Sequence, residues 1–249
     1  MKHITAKGVL FPFLLFFLFS NTFASILDDQ LRFSRVKKAY DEKYEVIKSQ
    51  LTDIGISVDT YHFMIKAYKY EQQVKLYVKK ESDREWKLLK QYPFCWTSGE
   101  LGPKRKEGDY QIPEGYYKIN HFNPHSSFLL SLGVSYPNKA DRIKSPHPRK
   151  GGAIYMHGGC ATIGCIPVED EPIKEVYILA LLARDNGQPS IPIHIFPFDY
   201  SEEKMQTAVS KFPEHEQFWE NLFEAEKKFK EDGIQPSVRI NSTGDYYMN

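Results

Sequence analysis

The chain has 249 residues, with 33 Lys and Arg against 32 Asp and Glu and a formal net charge of +1. That balance leaves no basic excess to neutralise phosphates and argues against nucleic acid as the main partner. Hydrophobic residues make up 41% and aromatic ones 14%, the composition of a globular chain long enough for one domain with a well-buried core and an added helical tail.

A basic start, Met1 to Lys7, runs into an apolar block from Val9 to Phe19 and then Ser20 to Ser25. This pattern predicts a secretory signal peptide over 1–24, cleaved after Ala24. The block is well short of the ~20 residues that cross a bilayer, so no stable membrane span is expected after cleavage. Segment 25–57 is a helical unit: Leu31, Val36, Ala39, Tyr40 and Ile47 repeat at helical spacing between Leu27 and Leu51, and Gly55 closes the helix. Strands follow at Tyr61 to Tyr68, Gln73 to Lys79 and Trp86 to Lys90, then at Tyr116 to His121, Phe128 to Tyr136 and Ala153 to Met156. Pro137 to Gly152, rich in proline, lysine and arginine, reads as a surface loop. A helix runs from the Val168 to Pro172 stretch to about Ala183, ended by Asn186-Gly187. The strand Ile191 to Phe196 contains Pro192, which places it near a sheet edge. Phe212-Pro213 opens a last helix, and Val238 to Asn241 with Tyr246 to Met248 form a terminal hairpin. The order predicts an α+β fold with a mainly antiparallel sheet over 58–200, flanked by the N-terminal helical segment and by 201–249 packed on the domain.

One stretch carries chemistry. Ala153 to Met156 delivers His157 into Gly158-Gly159, and Thr162-Ile163-Gly164 leads to Cys165, eight positions after the histidine. A thiol attacks carbonyl carbon as thiolate, so it needs a base within reach and N–H groups for the oxyanion that forms. His157 fits the base, Cys165 the nucleophile, and the N–H groups of Gly164 and Cys165 the oxyanion site, each such donor being worth ~3 kcal/mol. Three cysteines are an odd number for an oxidising compartment. One must stay free or pair outside the chain. The economical assignment leaves Cys165 free, with Cys95 and Cys160 available for a disulfide. A metal site on His157, Cys160 and Cys165 lacks the local Cys pairs and fourth ligand of zinc sites. His3, His62, His121, His125, His194 and His215 read as surface or core residues, and Phe128 and Tyr136 as core.

Here the sequence resembles the L,D-transpeptidase catalytic (YkuD) domain, whose fingerprint is His-Gly after a strand and then Ser/Thr-x-Gly-Cys. Thr162-Ile163-Gly164-Cys165 fits the second part. The short His-to-Cys interval and the block from Cys95 to Tyr117 look like the YafK branch, and the resemblance runs from about Tyr61 to Phe198. It implies a mostly β catalytic fold, residence in the periplasm or cell envelope, no cofactor and no metal. It also implies cysteine chemistry on peptidoglycan stem peptides or on wall-linked envelope proteins. Cys165 takes the nucleophile's position and His157 the base's, with Thr162, Gly158 and Gly159 in support. Ser98 and Lys104 fall in a block near the family's cleft, where turn chemistry and substrate contact are competing roles. Pro167 stands where typical members carry Arg, and His147 would satisfy the longer His-to-Cys interval of typical members. The expected chemistry is a Cys165 thioester, resolved by an amine in transpeptidation. Resolution by water would make the enzyme an endopeptidase or amidase that cuts peptidoglycan or releases wall-linked protein. Pro167 keeps a catalytically dead wall-binding module as a further alternative.

Overall fold

The computed structural model describes residues 25–249, so the predicted signal peptide lies outside the described residues. Helix α1 (Ile26–Leu31) is capped by Ser25, whose hydroxyl accepts from the Asp28 N–H at 3.0 Å. Helix α2 (Ser34–Asp53) buries Val36, Ala39, Ile47 and Leu51, and Gly55 turns the chain beyond it at φ 73°. The single helix expected over 27–51 is thus two. Phe33 adopts extended backbone between them and sets its ring edge-on to His125, centroids 4.9 Å apart.

Strands β1 (Tyr61–Tyr68), β2 (Gln73–Lys80) and β3 (Lys87–Pro93) form an antiparallel meander. Then come β4 (Gly115–Asn123), β5 (Ser131–Val134), helix α3 (Lys139–Lys144), β6 (Tyr155–His157), β7 (Ile166–Pro167), α4 (Asp170–Asp185) and β8 (Pro192–Phe196). The eight strands make one mixed sheet in the order β3-β2-β1-β8-β4-β5-β6-β7, parallel at β1/β8 and β6/β7 and antiparallel elsewhere. Alternation decides the two faces. Phe63, Ile65 and Ala67 of β1 join α2 and α4 in the main core, whereas Tyr68 and Phe196 join a second core built by the C-terminal helices.

Two further expectations need correction. The loop predicted over 137–152 contains α3, nucleated by a reciprocal capping box in which Asn138 and Asp141 accept each other's backbone N–H. Strand β8 lies between β1 and β4 rather than near an edge, because Pro192 occupies its first position, opposite Lys118, where a missing N–H costs least. The C-terminal region adds helices α5 (Glu202–Lys211) and α6 (Glu216–Asp232) and the hairpin β9 (Val238–Ile240) and β10 (Tyr246–Met248). Helix α5, capped by Ser201, had no counterpart in the sequence pattern. Glu226 of α6 meets the sheet inside the protein, where it accepts from Lys66 Nζ at 2.5 Å and from the Tyr68 hydroxyl at 2.9 Å.

Candidate active site

The short parallel pair β6/β7 sets the site. Its register places Met156 beside Ile166 and His157 beside Pro167. Met156 and Ile166 are fully buried, so the alternation of side chains sends Tyr155, His157 and Cys165 to the opposite face. There all three line a cleft of about 570 Å3. Cys165 is the free cysteine, and its Sγ accepts from the Tyr155 N–H at 3.4 Å.

His157 is almost wholly buried. Its Nδ1 lies 2.6 Å from the Gly158 carbonyl oxygen, an acceptor, so Nδ1 carries the proton and Nε2 is left as the basic nitrogen. The Phe128 ring stacks on the imidazole at 4.5 Å and 26°. Phe128 was expected in the core. It is instead 39% exposed and forms a wall of the cleft, because its apolar face is used against His157. The Gly158-Gly159 turn is anchored to the start of α4, where Asp170 Oδ1 accepts from the Gly159 N–H at 2.9 Å. A Cβ at Gly158 would stand 2.6 Å from that same oxygen and 2.8 Å from the Phe128 carbonyl, which explains why the chain has glycine there.

Thr162 organises the turn before the thiol. Its hydroxyl accepts from the N–H groups of Cys165 at 2.8 Å and Gly164 at 3.2 Å and donates to the Cys165 carbonyl at 2.9 Å. The two N–H groups expected to hold an oxyanion therefore already point at Thr162 Oγ1. Gly164 has φ 132°, and a Cβ there would lie 3.0 Å from the Gln111 carbonyl, so the 109–111 loop rests directly on the cysteine turn.

That loop brings in Lys104. Asp109 accepts from Lys104 Nζ at 2.5 Å and from the N–H groups of Arg105, Lys106 and Gln111 at 2.9–3.1 Å. Burial alone would raise the Asp109 carboxyl's pKa, but these donors outweigh it and hold the group ionised below its usual range. Buried Glu114 fixes the start of the loop by accepting from the Gly102 N–H at 2.7 Å, Lys69 Nζ at 2.8 Å and Trp219 Nε1 of α6 at 2.8 Å. Lys104 lines a second cleft, of about 660 Å3, together with Glu107, Tyr110, Arg149, Lys150 and Cys165. Cys165 thus stands where the two clefts meet.

Burial pushes the Cys165 thiol pKa up, only partly offset by the Tyr155 N–H and the Lys104 charge. Burial pushes the His157 pKa down, partly offset by the Gly158 carbonyl. Near neutrality Cys165 is therefore a thiol and His157 a neutral imidazole.

The other candidates are scattered. His147 is exposed beyond α3 and lines neither cleft. The Ser98 hydroxyl is buried without a hydrogen-bond partner and also lines neither. Pro167 is buried in β7, and its carbonyl accepts from the Cys95 N–H at 3.1 Å; the cation near the thiol is Lys104. Cys95 and Cys160 are joined in a disulfide, Cα atoms 5.3 Å apart, which ties the loop ahead of Cys165 to the segment after β3. Glu169 lies beside them, but sulfurs bonded to each other offer no thiolate to a metal. Sequence reasoning passed over Phe128, Tyr155 and Asp170. Of these, Tyr155 alone had a signal, being two residues before His157 on the same strand.

The profile of the L,D-transpeptidase catalytic domain (YkuD) matches residues 63–195. The Escherichia coli K12 protein YafK, provisionally named an L,D-transpeptidase, is 32% identical over 178 residues, covering 71% of this chain and 70% of its own. Among solved structures, the helical cell shape determining protein Pgp2 of Campylobacter jejuni (K307A mutant) aligns with a TM-score of 0.45 and 16% identity, over 76% of this chain and 66% of that one. Bd1075 of Bdellovibrio bacteriovorus aligns at 0.40 and 22%, over 65% and 59%. From the span of the domain match and the identity to YafK, the chain belongs to the L,D-transpeptidase (YkuD) family.

Proposed function

We propose that the chain is an exported cysteine acyltransferase that acts on peptidoglycan stem peptides in cell wall formation or remodelling. The observation that carries this reading is the position of Cys165, a free thiol at the junction of two clefts, on the same sheet face as a buried imidazole whose Nε2 is free.

The chemistry follows from that geometry. His157 Nε2 takes the Sγ proton as Sγ attacks a stem-peptide carbonyl carbon, giving a tetrahedral oxyanion and an imidazolium. Collapse breaks the C–N bond, and the imidazolium returns its proton to the departing amine, leaving a thioester on Cys165. An acceptor amine then attacks the thioester while His157 takes its proton, and the thiol is regenerated. Water in the amine's place gives hydrolysis by the same steps, with release of peptide or of wall-linked protein as the outcome.

Burial serves both halves. It keeps the imidazole unprotonated and therefore basic, and the low-dielectric wall formed with Phe128 strengthens the charges that appear in the transition state. Of the second cleft's cations, Lys104 is paired to Asp109 and Arg149 to Glu107, which leaves Lys150 to meet a stem-peptide carboxylate. The signal-like segment over 1–24 would carry the enzyme to that substrate.

The test is mass spectrometry of muropeptides after incubation of sacculi with the purified protein. New cross-links indicate transfer and released peptides indicate hydrolysis. Cys165→Ala should yield neither, and turnover by that variant would remove the thioester from the account.

A further inference from the structure

The wall of the first cleft beside His157 is the turn between β4 and β5, which supplies His125, Ser126 and Phe128. The turn is strained. Leu129 adopts φ 64°, the left-handed region, which costs a non-glycine residue about 1–3 kcal/mol and persists only where neighbours over-determine it. Local side-chain bonds help: the His125 N–H donates to Asn123 Oδ1 at 3.0 Å and the Phe128 N–H to the Ser126 hydroxyl at 3.1 Å. Packing alone does not hold Phe128, which is 39% exposed.

Further support comes from α2. Arg35, in its first turn, directs Nη1 to the Ser126 carbonyl at 2.7 Å and to the Leu129 carbonyl at 3.3 Å. Those two carbonyls bracket Phe128, so one guanidinium nitrogen closes the turn across the residue whose ring covers the base. Both bonds are charge-assisted, which makes them roughly twice as strong as neutral ones. Phe33, two residues earlier, sets its ring against His125 and anchors the other end of the turn to the same helical unit.

The tie is felt at the imidazole because the contacts beyond it are close. The Phe128 ring stacks on His157 at 4.5 Å, and a Cβ built on Gly159 would meet that ring at 3.1 Å. The Phe128 carbonyl would meet a Cβ on Gly158 at 2.8 Å. Arg35 falls outside the matched 63–195 span, so a helix beyond the matched domain reaches the base through this turn.

We propose that Arg35 is a positioning residue for the reaction: by tying the Ser126 and Leu129 carbonyls it holds Phe128 on His157 and keeps solvent from the imidazole. Its bearing on turnover rests on the function proposed above, whereas its hold on the imidazole does not.

The test reads the imidazole itself. Burial lowers the His157 pKa, partly offset by the Gly158 carbonyl, so uncovering the ring should raise it toward the ordinary histidine value. Proton NMR of the ring C–H signals against pH, assigned by their loss in His157→Ala, measures this in the purified protein. Arg35→Met keeps the length of the side chain and removes its donors. His157 should then titrate at higher pH than in the wild type, and the acid limb of carbapenem acylation of Cys165 should move up with it. Misplacement of the base should slow acylation at its optimum about tenfold. Arg35→Gln, shorter and neutral, gives the same reading should the methionine variant not fold. Phe128→Ala should raise the titration likewise, and adding Arg35→Met to it should change nothing more, since both act through one ring. Arg35→Lys, which keeps a charged donor, should restore most of the wild-type titration. Lys37→Met, which breaks an exposed pair with Asp41 on the same helix, should leave it unchanged. An unaltered His157 titration in the Arg35 variants, an equal shift in Lys37→Met, or a full additional shift in the double variant would overturn the proposal. Turnover of sacculi by Cys165→Ala would remove the thioester reaction and leave the Arg35 tie to be judged by the titration alone.

Discussion

Thr162→Val keeps the outline of the side chain and deletes one oxygen. That oxygen makes three hydrogen bonds, to the Cys165 N–H at 2.8 Å, the Gly164 N–H at 3.2 Å and the Cys165 carbonyl at 2.9 Å. Each is worth ~1 kcal/mol net, and partial exposure of the turn lets water recover some of it. The expected loss is about 2 kcal/mol, a fall in melting temperature of about 4–8 °C for a chain of this size. Two effects on acylation then oppose each other. Freed N–H groups could serve an oxyanion, each worth ~3 kcal/mol when correctly aimed. The same change unpins the backbone that carries Sγ, and a shift of ~1 Å in an attacking atom costs ~10²-fold. Misplacement should dominate, because donors that are no longer held are no longer aimed. Stopped-flow acylation of Cys165 by a carbapenem is therefore expected to slow by about 10–100-fold. Faster acylation alongside the lower melting temperature would mean that Thr162 competes with the oxyanion rather than organising the turn, and unchanged stability would refute the hydrogen-bond reasoning.

Since burial raises the Cys165 pKa and lowers that of His157, iodoacetamide alkylation of Cys165 should rise with pH through a midpoint above the ordinary thiol range. The acid limb of kcat/KM should fall below the usual histidine value. Alkylation flat from about pH 5 to 8, the signature of a preformed thiolate–imidazolium pair, would contradict both. Gly164→Ala forces φ 132° on a residue with a Cβ, 3.0 Å from the Gln111 carbonyl; about 1–3 kcal/mol of strain and loss of activity are expected, whereas Gly152→Ala, with nothing within 4 Å, should be silent in unfolding assays. Burial lifts the Asp141 pKa from 3.8 to about 6, against the Asn138 N–H, Tyr117 hydroxyl and Arg105 that oppose the rise. A folded pKa above the unfolded one gives stability present below the unfolded value and lost as pH climbs through about 6. Urea unfolding should thus show a decline of up to about 3 kcal/mol across that window, absent in Asp141→Asn.

What could be read from residues alone divides by the range of the interactions. Strands β1, β2 and β4 announce themselves through local alternation and β-branched or aromatic residues. The segment around His157 and Cys165 combines a strand end, paired glycines and Thr-x-Gly-Cys within a dozen residues. Helix α3 was hidden by the prolines and basic residues around it, although Asn138 and Asp141 carried a usable capping signal. The place of β8 at the sheet's centre depends on β1 and β4, far away in sequence, and Pro192 misdirected because its position within the strand decides its effect. Phe128 looked like core because its partner is a histidine brought beside it only by the β5/β6 pairing. The contribution of Lys104 depends on Asp109 and Glu114 folding its loop over Gly164, a tertiary arrangement invisible to spacing.

The most direct measurement on the central claim is intact-protein and peptide mass spectrometry of the enzyme quenched in acid during turnover of sacculi. A stem-peptide acyl group should be found in thioester linkage on Cys165, should be released by hydroxylamine, and should fail to accumulate in His157→Ala at neutral pH. An adduct mapped to another residue, or undiminished muropeptide turnover by Cys165→Ala with no adduct at all, would contradict the account.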